Sequence, residues 1–183
     1  MDDPAKGEAR NVSEGALPPS PQVPLRAGGA AGSGATGVSS KAVCALVDGS
    51  SNSFAALRWA LEHLLDAQDD LYLLTVEPFE DFTTSAERTL QEACEFARNA
   101  GVKEARLHQR NVAAAASSRT RGVGEAIRQF VEQNKADVLV LGGRGMGAVE
   151  SAALGSLGMG SVSEFCVQRL QCPMLVVKQQ ADE

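Results

Sequence analysis

Five short apolar runs alternate with stretches of helical periodicity, and this alternation limits the folds open to the chain more than any other feature. Ala42-Val43-Cys44-Ala45-Leu46-Val47 is apolar at every position, as in a strand buried on both faces. Leu71–Val76 and Val138–Leu141 read the same way, Pro173–Lys178 closes the series, and Glu104–Gln109 is a weaker member. Between them lie four helical patterns. The first runs from Ser51-Asn52-Ser53, which offers N-cap chemistry, to about Ala67, with Leu57, Leu61, Leu64 and Leu65 on one face. The second covers Ser85–Ala100, with Leu90, Ala93, Cys94 and Ala97 at helical spacing and Gly101 as its stop. In the third, Val123, Ala126, Ile127, Phe130 and Val131 match the i, i+3, i+4 template after a polar, alanine-rich loop over Asn111–Arg121. The fourth starts at Ser161, where Glu164 follows at capping-box spacing, and carries Val162, Phe165, Cys166, Arg169 and Leu170.

Strand–helix alternation of this kind predicts a single doubly wound α/β domain, with a five-stranded, mainly parallel sheet and helices on both faces. The predicted strand order is 3-2-1-4-5. Ligands of such sheets bind beyond the carboxyl ends of the strands, where the order reverses. That crevice lies between strands 1 and 4, and the turns after these two strands carry the unusual residues. Asp48-Gly49-Ser50 follows strand 1, and Gly142-Gly143-Arg144-Gly145-Met146-Gly147 follows strand 4. Glycines let backbone N–H groups approach a ligand, and a helix start supplies unpaired donors. Strand, glycine loop and helix start together read as a phosphate cradle.

Residues 1–40 differ in kind. They hold 5 of the 7 prolines, 7 of the 18 glycines and no aromatic residue, a composition that cannot offset its own ordering entropy, so a disordered tail is expected. An organelle transit peptide is the rival reading, and Asp2, Asp3, Glu8 and Glu14 oppose it, because such peptides are poor in acids. The domain is expected over 41–179, with a short polar tail over 180–183. The net charge of -6 argues against nucleic-acid and anionic-membrane binding. No apolar run approaches the roughly 20 residues of a membrane span. Cys44, Cys94, Cys166 and Cys172 show no C-x-x-C pairing and only His63 and His108 accompany them, so reduced buried thiols and a cytoplasmic setting are expected, with no metal site.

Bland readings stand beside the sharp ones. A glycine turn often serves only close strand–helix packing, and Asp48 fits a plain turn or cap. Arg144 suits a γ-phosphate or solvent equally, and Trp59, His63 and His108 read as packing or surface residues. Gly143–Ala148 satisfies G-x-G-x-x-A, but that dinucleotide fingerprint belongs after a first strand. No Walker A sequence occurs. No general base, nucleophile or catalytic residue stands out, so at most slow hydrolysis is expected.

These residues resemble the universal stress protein family, in its ATP-binding branch. The family's G-x-x-G, nine residues, then G-[S/T] is matched by Gly142, Gly145, the nine residues Met146–Leu154, and Gly155-Ser156. Val47-Asp48-Gly49-Ser50 with Ala56–Leu61 is similar to the family's first strand and helix. Gly160-Ser161-Val162-Ser163-Glu164 with Cys172–Val177 is similar to its last helix and strand. The resemblance spans Lys41 to Lys178 and implies a regulatory stress-response protein that holds ATP, with Mg²⁺. It implies that Asp48 contacts ribose or adenine and that the backbone near Leu46 and Val76 lines the adenine slot. Gly142 and Gly145 would wrap the phosphates, joined by a Gly-Ser pair at the start of the fourth helix, and Leu141 and Val162 complete the cofactor-binding set. Most members have one Gly-Ser pair; here Gly155-Ser156 fits the count and Gly160-Ser161 fits the helix start, and the latter is favoured. The resemblance also implies a homodimer through the last strand. A module that has lost nucleotide and acts through protein partners is the alternative.

Overall fold

β1 (Ala42–Leu46) is the central strand of the sheet, with β2 (Asp70–Glu77) on one side and β4 (Val138–Gly142) on the other. The computed structural model describes residues 40–77, 83–114, 119–143 and 161–178. β3 (Leu107–Ala113) and β5 (Met174–Val177) form the two edges, and the order is β3-β2-β1-β4-β5. All four strand pairings are parallel, with Leu46 opposite Leu74, Ala45 opposite Val140 and Gly142 opposite Val177. The expected tails lie outside the described residues.

Helices cover both faces, as the apolar strands require. α1 (Ser51–His63) and α2 (Thr83–Asn99) bury Leu57, Leu61, Leu90 and Ala93 against Val43, Ala45, Leu71 and Leu73. α3 (Arg119–Gln133) and α4 (Ser161–Arg169) bury Ile127, Phe130 and Cys166 against Cys44, Leu74, Leu139 and Leu141 on the other face. Truncating such a fully buried side chain, Leu57 or Ile127 for example, costs about 2–5 kcal/mol.

Four boundaries differ from the sequence reading, each for a physical reason. α1 ends at His63, short of Ala67, because the N–H groups of Leu64 and Leu65 both close on the Ala60 carbonyl. The chain then turns into an ionic staple. Asp69, with its side chain fully buried, accepts from the backbone N–H groups of Lys41 (2.8 Å) and Asp66 (2.9 Å), and lies 2.7 Å from the Lys41 ammonium. α2 begins two residues before Ser85. β3 is displaced to Leu107–Ala113, following a single 3₁₀ turn over Glu104–Arg106, and pairs with β2 along its whole length. α3 begins at Arg119, so the expected loop is strand at one end and helix at the other.

Candidate functional site

Beyond Leu46 the chain stays beside β2 for one more residue, with the Val47 N–H donating to the Leu74 carbonyl at 2.9 Å. It then turns through Gly49, whose φ of 81° lies in the left-handed region that favours glycine. The turn is held by Asp48. Its Oδ1 accepts from the Ser50 N–H at 3.0 Å and from the Ser50 hydroxyl at 2.6 Å. Ser50 is also the N-cap of α1, accepting from the Ser53 N–H at 3.2 Å. The Ser53 hydroxyl donates back to the Ser50 carbonyl and receives the Asp48 N–H. The carboxylate is thus half-buried and fixed at the mouth of the crevice by the same bonds that start the helix. Ser50 takes the cap one residue earlier than the sequence pattern suggested.

Across the crevice, β4 runs to Gly142, and Gly143 continues along β5 by donating to the Val177 carbonyl at 2.8 Å. Gly142 faces the first turn of α1. A Cβ there would stand 2.7 Å from the Asn52 carbonyl carbon and 2.8 Å from its oxygen, closer than any real contact. The two turns therefore touch: the helix that Asp48 and Ser50 begin lies directly on the strand end from which the glycine loop departs.

The remaining predicted residues fall into three groups. Leu46 and Val76 are half-buried at the ends of β1 and β2, with Val112 of β3 beside them, on the α3–α4 face of the sheet. Leu141 is 2% exposed and packs in the core, so only its backbone is offered to the crevice. Ser161 opens α4 as expected, is exposed, and pairs hydroxyl to hydroxyl with Thr120 in the first turn of α3 at 3.2 Å, while Val162 is half-buried beside it. Gly145, Gly155, Ser156 and Gly160 lie outside the described residues.

Glu77 escaped the sequence reading. It closes β2 at the carboxyl edge of the sheet, is 8% exposed, and accepts from the Asn111 amide at 2.9 Å through Oε2, while Oε1 has no partner among the described residues. An acid ending an otherwise apolar strand was the available signal. Thr75 on the same strand ties β2 to the turn by donating to the Val47 carbonyl at 2.8 Å.

Comparison with known proteins agrees with this architecture. The model of the universal stress protein family matches residues 40–178. A universal stress protein A-like protein of Arabidopsis thaliana is 33% identical over 78 residues, 43% of this chain and 42% of its own length. A universal stress protein of Thermus aquaticus, encoded 3′ of a QAH/OAS sulfhydrylase, is 46% identical over 54 residues, 30% of this chain and 36% of its own. The matched segments thus span about two fifths of these relatives. A universal stress protein solved in complex with cAMP superposes with a TM-score of 0.56 at 22% identity, covering 75% of this chain and 96% of that one. One from Archaeoglobus fulgidus in complex with dAMP gives 0.56 at 17% identity, covering 76% and 98%. Likeness at such identity shows the fold. Among the described residues no helix is long and apolar enough to cross a membrane.

Proposed function

The chain belongs to the universal stress protein family, and from that premise we propose that it is a nucleotide-binding regulatory protein that holds ATP in the crevice between β1 and β4. The observation that carries this reading is the contact of the Asp48 turn with the Gly142 strand end at the point where strand order reverses. The donor set suits the ligand. A fixed carboxylate accepts from ribose hydroxyls, Leu46 and Val76 offer apolar walls for a purine, and the start of α4 offers N–H groups and the Ser161 hydroxyl to phosphate. Mg²⁺ would arrive on the phosphates, neutralising them as it does in most phosphate sites. In this reading, turnover is at most slow.

A second reading has its own support. Gly142 is already accounted for by α1 lying against it, so its presence does not demand a phosphate. A partner-binding module of the same fold would keep this glycine. A second copy of the chain, pairing along the open edge of β5, is part of the same proposal. Sedimentation at tens of micromolar tests it, and a monomer would overturn that part.

Calorimetry of nucleotide-stripped protein with ATP and Mg²⁺ decides between the readings. Asp48→Asn and Gly145→Val are the informative variants, because a Gly142 substitution would collide with Asn52 and perturb the fold. Binding at about -8 kcal/mol (micromolar) that both variants weaken supports the nucleotide reading. No binding by about 1 mM supports the partner-binding one.

A further inference from the structure

α3 and α4 lie against the same face of the sheet and touch each other at matching turns. Thr120 and Gly124 stand one helical turn apart on α3, and Ser161 and Phe165 stand one turn apart on α4. At the second turn, a Cβ on Gly124 would stand 2.6 Å from Cε1 of Phe165, so the ring rests on bare α3 backbone. At the first turn, the Thr120 and Ser161 hydroxyls meet at 3.2 Å, across 41 residues of sequence. The missing side chain of Gly124 thus lets the two helix starts come within direct hydroxyl contact.

The direction of that hydrogen bond has a consequence. A hydroxyl has one proton to give and two lone pairs to accept with. A threonine inside a helix often gives its proton to the carbonyl one turn before it. Thr120 is the second residue of α3, so the helix has no such carbonyl, and the hydroxyl reaches across to α4 instead. Ser161 can give its proton to Thr120 or to a ligand, but not to both. An ionised phosphate oxygen only accepts. A phosphate at the start of α4 would therefore claim the Ser161 proton, and Thr120 must then be the donor of the pair. The hydroxyls line up as one chain, Thr120 to Ser161 and Ser161 to phosphate, each bond polarising the next.

We propose that Thr120 is a positioning residue for phosphate: by donating to Ser161 Oγ it aims the Ser161 proton at the ligand. This rests on the reading of the β1–β4 crevice as a nucleotide site with Ser161 at its phosphate end. It assigns α3 a part in that site, and it makes the contribution of Thr120 depend on the ligand's being phosphorylated.

Calorimetry of the full, nucleotide-stripped chain with ATP and Mg²⁺, and separately with adenosine, is the test. Thr120→Val keeps the side-chain shape and removes the donor. It should weaken ATP about three- to tenfold and leave adenosine unchanged. Thr120→Ser, which restores the hydroxyl, should recover most of the loss. In a Ser161→Ala background, Thr120→Val should cost nothing further, because the link to phosphate is already gone. A wild type that binds no ATP by about 1 mM overturns the nucleotide reading and this inference with it. A wild type that binds ATP, with Thr120→Val binding it equally well, overturns this inference alone. Equal losses of ATP and adenosine would also overturn it, by reducing Thr120 to packing. So would an undiminished further loss in the Ser161→Ala background, which would make Thr120 a direct phosphate contact.

Discussion

The carbonyl oxygen of Asn52 lies 2.8 Å from where a Cβ on Gly142 would stand, which makes this glycine a packing requirement whatever else it does. Gly142→Ala should therefore cost about 1–3 kcal/mol, because helix backbone, unlike a flexible side-chain tip, cannot step aside. At Gly143 the nearest obstacle is the Lys178 side chain at 3.2 Å, so Gly143→Ala should cost clearly less. Urea denaturation midpoints of the two variants give the comparison, and equal losses would contradict it.

Gly124 sets helix propensity against crowding. Alanine in a helix interior gains about 1 kcal/mol over glycine, but here its Cβ would meet the Phe165 ring. Overpacking of about 1–3 kcal/mol should win, making Gly124→Ala destabilising in the native background. With Phe165→Ala the obstacle is gone, and the same substitution should stabilise by about 1 kcal/mol. A double-mutant cycle reads the change of sign; the same sign in both backgrounds would show that the ring is not the cause.

The staple at the other end of the sheet predicts acid sensitivity. Burial alone would raise the Asp69 carboxyl, but the Lys41 ammonium and the N–H groups of Lys41 and Asp66 outweigh it and hold the group below its ordinary 3.8. A carboxyl lowered on folding stabilises the native state fully above the unfolded value, and that contribution is lost as pH falls through the folded one. Wild-type stability should thus fall as pH drops below about 4. Asp69→Asn should be less stable at neutral pH, with a flatter acid limb; parallel acid limbs in thermal melts would refute the assignment.

Thiol chemistry should follow burial. Burial pushes the Cys44 and Cys166 thiols up, Cys166 to about 12, with the neighbouring cysteines adding to it, and both side chains are fully buried. Cys172 is half-buried and is raised by burial as well. Labelling of the native protein near pH 8 should mark Cys172 first and leave Cys44 unmodified until unfolding. Peptide mapping that finds Cys44 labelled as fast as Cys172 would overturn this order.

Strands 1, 2 and 4 were legible because each carries an apolar run, Ala42–Val47, Leu71–Leu74 and Val138–Leu141. β3 was not, since His108-Gln109-Arg110-Asn111 is largely exposed on an edge strand and carries no alternation; pairing with β2 defines it. Arg119 and Thr120 precede the apolar periodicity of α3, so the pattern alone starts that helix late. Asp48 and Gly142 were singled out as candidates by their place at the ends of strands 1 and 4. What escaped was tertiary: Lys41 and Asp69 are 28 residues apart, and nothing local links them. The approach of Asn52 to Gly142 likewise exists only once α1 has docked.

The central position of β1 has a consequence for how the protein is made. One edge of β1 is closed by β2 soon after synthesis, but the other waits for β4, and the Ala42–Asp137 hydrogen bond that joins them spans 95 residues. At about 5–20 residues per second, a ribosome leaves that apolar edge open for several seconds or more. During that interval the β1-α1-β2-α2-β3 half resembles a book with one cover. Nascent chains stalled before Val138 should be readily cleaved by protease and bound by chaperones, and those extended past Lys178 should resist both.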